Sequence, residues 1–114
     1  MQQPVQQAAA ANSEGMNALR RGDFRAAAKS FERAVAADPA SGALLRNLAS
    51  AHRGAGDDQA ELAALDRALD IDRRDLVAWM RKAELHQRVG QKGEAFEAWN
   101  AALALAEALR PWSG

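Results

Sequence analysis

Gly22, Gly56 and Gly90 stand 34 residues apart, and this interval limits what the chain can fold into more than any other feature. The same interval relates Ala34, Ala68 and Ala102, then Phe31, Leu65 and Trp99, then Gly15, Ala49 and Ala83. Leu45 and Trp79 share a further column. A period that recurs at several columns marks repeated supersecondary units stacked in a line. Three copies occupy residues 8–41, 42–75 and 76–109 of the 114, which predicts a disordered tail over 1–7 and a short tail over 110–114.

Each copy reads as two helices. Apolar or small residues recur at three- and four-residue steps, as in Leu45, Leu48, Ala49 and His52, then Leu62, Leu65 and Leu69. Gly22, Gly56 and Gly90 fall between the two runs, where a left-handed residue ends the first helix. Asp23 and Asp57 follow as N-caps, and Ser41 and Asp75 can cap the helices that open the second and third copies. Asp38-Pro39 stops a helix, because the residue before proline resists the α region. Helices are therefore predicted near 8–21, 24–37, 42–55, 58–71, 75–89 and 92–109. Alanine supplies 29 residues against 26 larger apolar ones, and tyrosine is absent. Alanine favours helix and close helix packing, and β-branched residues are scarce, so the class is all-α.

Composition also excludes functions. Lys+Arg and Asp+Glu are 15 each, so no global basic field exists to hold nucleic acid or an anionic membrane. Without cysteine there is no disulfide, thiolate zinc site or cysteine nucleophile. No apolar run approaches the roughly 20 residues of a membrane helix, and MQQPVQQAAAAN makes a poor signal peptide. A soluble cytoplasmic domain is the expectation.

The columns carry a family resemblance. Gly22, Asp23, Phe24, Ala27, Phe31, Ala34 and Pro39 form a pattern that resembles the tetratricopeptide repeat. Copy two resembles it through Leu45, Leu48, Ala49, Gly56, Leu65 and Ala68, and copy three through Trp79, Ala83, Gly90, Ala95, Trp99 and Ala102. Four positions depart from it: Glu14 and Lys82 replace the usual leucine of the first helix, Glu61 the packing alanine, and Arg73 the proline. The resemblance implies a short right-handed superhelix, an α-solenoid whose concave face is lined by the first helix of each copy.

Enzyme motifs are missing: there is no Gly-rich phosphate loop, no G-x-S-x-G and no H-E-x-x-H, so no catalytic residue, metal ligand or cofactor is assigned. His52 and His86, one period apart, read as a two-histidine metal or pH site, or as two rings in equivalent packing positions. Asp70, Asp72 and Asp75 around Arg73-Arg74 read as a capped inter-repeat turn, since the Gly and bidentate Glu of a calcium loop are lacking. The concave columns hold Asn12, Met16 and Arg20, then Arg46, Asn47, Ser50 and Arg53, then Val77, Met80, Arg81, Glu84 and Arg88. Five arginines face one glutamate there, while Glu32, Asp58, Glu61, Asp66 and Glu97 lie on second helices. A groove of this charge suits an acidic peptide or a free C-terminal carboxylate, arginine being a planar fork for carboxylates. Its alternative is a solvated face. Family members that hold chaperone C-termini use a clamp of Lys, Asn, Asn, Lys and Arg; by resemblance only Asn47 and Arg81 match, the other positions holding Asn12, Met16 and Val77.

The last helix is apolar on too many sides. Phe96, Leu103, Leu105 and Leu109, with Trp112 beyond, make an oligomer or interdomain face, because solenoids need a polar element at each end. The segments N-L-A-S-A-H-R-G-A-G-D-D and R-K-A-E-L-H-Q-R-V-G are also similar to helical repeats that precede bacterial aspartyl/asparaginyl β-hydroxylase domains. That similarity implies an arm of a larger 2-oxoglutarate- and iron-dependent enzyme, with none of the metal-binding signature in this stretch. The leading expectation is a non-catalytic protein–protein interaction module that holds a peptide in the concave groove. An enzyme's arm and a self-associating module are its rivals.

Overall fold

Glycine and its following residue set the helix ends. Gly22, Gly56 and Gly90 adopt φ of 76°, 77° and 83°, where a Cβ is disfavoured. The next residue's N–H then reaches back to a carbonyl five residues earlier: Asp23 to Ala18 at 2.9 Å, Asp57 to His52 at 3.0 Å and Gln91 to His86 at 2.8 Å. The chain reverses at each of these points and a new helix begins. The Asp23, Ser41, Asp57 and Asp75 side chains accept from the N–H groups of Ala26, Leu44, Ala60 and Ala78 at 3.3, 3.2, 3.1 and 3.0 Å.

The result, in a computed structural model that describes residues 3–111, is six helices and no strand among those residues. They are α1 (Pro4–Arg20), α2 (Phe24–Ala37), α3 (Gly42–Ala55), α4 (Asp58–Ile71), α5 (Leu76–Arg88) and α6 (Lys92–Ala108). The bounds of α2, α3 and α4 coincide with those expected. The first helix does not: the expected disordered tail over 1–7 is helical from Pro4 onward. Proline at the first helical position lacks an N–H that would be unsatisfied there anyway, and its fixed φ suits the helix. The backbone N–H of Gln3 also donates to Oε1 of Gln6 at 3.3 Å.

Successive helices pack in order, α1 on α2, α2 on α3, and so on to α6, which is an α-solenoid of three helix pairs measuring 48 × 34 × 21 Å. Small column residues (Ala27, Ala34, Ala68, Ala78 and Ala83) are fully buried at the crossings. Phe31, Leu65 and Leu69 fill the space those close approaches leave. No described helix is long and apolar enough to cross a membrane.

The four departures from the repeat pattern each have a partner. Glu14 pairs with Arg33 between α1 and α2. Lys82 reaches Asp66 across α4 and α5 at 2.8 Å. Glu61, buried in α4, takes Nη2 of Arg88 at 2.7 Å. The Arg73 guanidinium lies 5.1 Å from the centroid of Trp79, whose Nε1 donates to the Arg73 carbonyl at 2.9 Å. Charge and stacking substitute here for apolar packing.

Candidate functional site

The first helices α1, α3 and α5 are joined by side chains rather than left as independent walls. Nδ2 of Asn47 donates to Oδ1 of Asn12 at 2.9 Å, linking α3 to α1. Nη1 of Arg81 donates to Oγ of Ser50 at 2.9 Å and to the Arg46 carbonyl at 3.1 Å, linking α5 to α3. The Asn12–Asn47 and Ser50–Arg81 pairs are therefore two rungs of a polar ladder across α1, α3 and α5, all four residues half-buried. Met16 on α1 is half-buried against the hydrophobic core.

The groove's expected surplus of positive charge is largely spent inside the protein. Arg46 pairs with Asp75, the residue that caps α5. Arg53 lies 3.9 Å from Glu84, a loose pair at the surface. Arg88 turns to α4 instead, with Nη2 at 3.1 Å from Asp58 and 2.7 Å from Glu61. Its pKa is held above the usual arginine range chiefly by the hydrogen bond to Asp58; burial opposes the shift, and the hydrogen bond and charge of Glu61 add to it. Among the described residues, only Arg20 and Arg81 of the five groove arginines have no acidic partner. Arg20 bonds Asn17 at the exposed end of α1. Arg81 rests on neutral acceptors of α3.

Two placements differ from expectation. Met80, expected in the groove, lines an apolar hollow of about 210 Å³ at the far end with Leu76, Trp99, Ala102, Leu103 and Ala106. Its column mates show the same direction: Asn12 meets Asn47 of the following copy, and Arg46 meets Asp75, which caps the first helix of the following copy. Leu105, expected beside Phe96 and Leu103, is half-buried. Nine residues separate it from Phe96, about half a turn around the axis at 100° per residue. Phe96, Leu103 and Leu109 are exposed, and Trp112 lies outside the described residues.

Two of the remaining candidates, His86 and Asp72, have local structural roles. Nδ1 of His86 is buried against Oε1 of Gln91 at 2.7 Å. Asp72 accepts the Arg74 N–H at 2.8 Å, closing the turn before α5. Among the described residues no three His, Cys, Asp or Glu side chains gather as a metal site.

Comparison with solved structures places this architecture among known ones. MamA of the RS-1 strain superposes with a TM-score of 0.84 at 20% identity, over 91% of this chain and 58% of that one. The chain thus spans little more than half of MamA. The TPR2B domain of yeast Sti1, in complex with pHsp70, gives 0.83 at 22% identity, over 90% of this chain and 82% of that one. The second tetratricopeptide domain of Spaghetti (RPAP3), bound to the HSP90 peptide SRMEEVD, gives 0.79 at 24%, over 89% and 94%. No curated protein matches the sequence significantly. At these identities the likeness is one of fold. Family membership rests on the sequence itself: the tetratricopeptide repeat model matches residues 12–76, more than half the chain, and the chain belongs to the tetratricopeptide repeat family.

Proposed function

We propose that this chain is a non-catalytic protein-interaction module that holds an extended peptide across α1, α3 and α5, with Arg81 receiving a carboxylate. The observation that carries the reading is the state of Arg81. It is a half-buried guanidinium at the α5 end of the polar ladder, bonded only to a hydroxyl and a carbonyl among the described residues. Its positive charge is uncompensated where the side chain is already held in place, so a carboxylate gains a charge-assisted bond at little ordering cost. Asn12 and Asn47 supply amide donors and acceptors for a peptide backbone alongside. The bound peptides of the Spaghetti and Sti1 domains support this reading, and SRMEEVD is itself rich in carboxylates. A full chaperone clamp is not expected, because Met16 and Val77 stand at two of its cationic or amide positions.

Fluorescence anisotropy with labelled peptides tests the assignment. Acidic peptides with a free C-terminus should bind more tightly than amidated or basic ones, and more weakly as salt is raised. Arg81→Glu should weaken binding by about 2 kcal/mol, close to thirtyfold, for a contact between rim and core. Arg25→Glu on the exposed side of α2 should leave it unchanged. Equal binding of basic peptides, unaltered by Arg81→Glu in a variant that melts normally, would contradict the assignment.

A further inference from the structure

The last helix pair leaves uncovered the columns that the first two pairs cover. Phe31 and Leu65 are 0% exposed, but their counterpart Trp99 is 36% exposed. Val35 and Leu69 are 3% and 1% exposed, whereas Leu103 is 63% exposed. Ala28 and Leu62 are half-buried, and Phe96 is 68% exposed. Of these side chains, Trp99 and Leu103 line, with Met80, the apolar hollow of about 210 Å³. No described residue covers them. A contiguous apolar face of this kind marks an interaction surface.

The inner junctions show the shape of what fits such a face. There it is a first helix carrying two apolar residues seven apart, Leu44 and Ala51 on α3, then Ala78 and Leu85 on α5, all buried. The first helix of the stack cannot serve, because its residues in those columns are Ala10 and Asn17, both exposed, with charged Glu14 between them. End-to-end stacking of α1 on α6 is therefore disfavoured. Of the large apolar side chains exposed among the described residues, one pair alone lies seven apart in a single helix: Phe96 and Leu103 of α6. The unfilled seat and the unburied ridge belong to the same face.

We infer that this face pairs with the same face of a second copy about a two-fold axis, α6 of each lying in the α5–α6 hollow of the other. A self-complementary patch of this kind closes at two subunits and does not polymerise. The interface lies at the end of the stack and leaves the polar ladder of α1, α3 and α5 open, so it stands or falls independently of peptide binding.

Sedimentation and light scattering from micromolar to millimolar concentration should show the mass doubling. Leu103→Glu and Phe96→Glu should each return a monomer with unchanged helical circular dichroism, since both side chains are exposed. The chain has no native cysteine, so Asn100→Cys, on the same side of α6, offers a direct probe of symmetry. Oxidation should link two copies through position 100, and the control Gln6→Cys on α1 should not link. A monomer at millimolar concentration, a dimer that survives Leu103→Glu, or mixed linkage between positions 100 and 6 would each overturn the proposal. So would saturable binding of a peptide copying residues 41–55 to a monomeric chain, which would assign the seat to a partner helix.

Discussion

Phe31→Ala should be among the most damaging single changes in this chain, costing about 3–5 kcal/mol of folding free energy. The ring is fully buried between α1 and α2, in a column that every copy fills with a large side chain. It fits because position 15 has no side chain: a Cβ there would lie 2.5 Å from Cε1 and 2.6 Å from Cδ1 of Phe31. The two positions are therefore coupled, and the coupling has a sign. In the native background, Gly15→Ala should destabilise by about 1–3 kcal/mol, because an enclosed ring has nowhere to move. In the Phe31→Ala background the same methyl enters vacated space, and the helix-propensity gain of about 1 kcal/mol should make it stabilising. Urea denaturation of the four members of the cycle reads this directly. Additive effects would mean that the ring does not occupy that gap.

Arg88→Met should cost about 2–3 kcal/mol, below the usual 3–5 for breaking a buried pair because water reaches part of the arginine. Glu61 is 2% exposed and depends on Arg88 for its compensating charge, while methionine keeps the apolar stem and removes only the guanidinium. The carboxylate is left buried without its partner. Glu61→Ala restores the residue usual at that column and leaves Arg88 its bond to Asp58 at 3.1 Å, so it should be nearly neutral. The double variant should melt close to the parent, because removing both charges also removes the cost of burying them. Thermal and chemical denaturation of the three variants provides the check. An Arg88→Met variant as stable as the parent would show that Glu61 is satisfied some other way.

These effects concern residues that a sequence reading treats unevenly. The ends of α2 and α3 and the start of α4 were legible because each is written locally, by a glycine, a capping Asp or Ser, or Asp38-Pro39; the end of α4 at Ile71, where Arg73 replaces the proline, follows only from the 34-residue period. The early start of α1 was also written, in Pro4 at a first helical position, but the 34-residue frame drew attention to residue 8 instead. The partners of Arg88, Arg46 and Lys82 were not legible. Arg88 meets Glu61 27 residues away, Arg46 meets Asp75 29 away, and Lys82 meets Asp66 16 away. Column arithmetic assigns each residue to a helix face, while ion pairing depends on how far two helices slide past one another. That offset also explains Met80, which shares a column with Asn12 and Arg46 and points along the stack. For Leu105 the needed signal was present: nine residues from Phe96 is the opposite side of a helix.

What the groove holds is the central question, and amide chemical-shift mapping addresses it most directly. On titration with a short acidic peptide bearing a free C-terminus, the largest shifts should fall at Asn12, Asn47, Ser50 and Arg81, with α2 and α4 nearly silent. Arg81→Glu should move those shifts to about thirtyfold higher peptide concentration while the rest of the spectrum stays folded. Shifts confined to α6, or an unchanged response in the Arg81→Glu variant, would contradict a peptide-binding groove centred on Arg81.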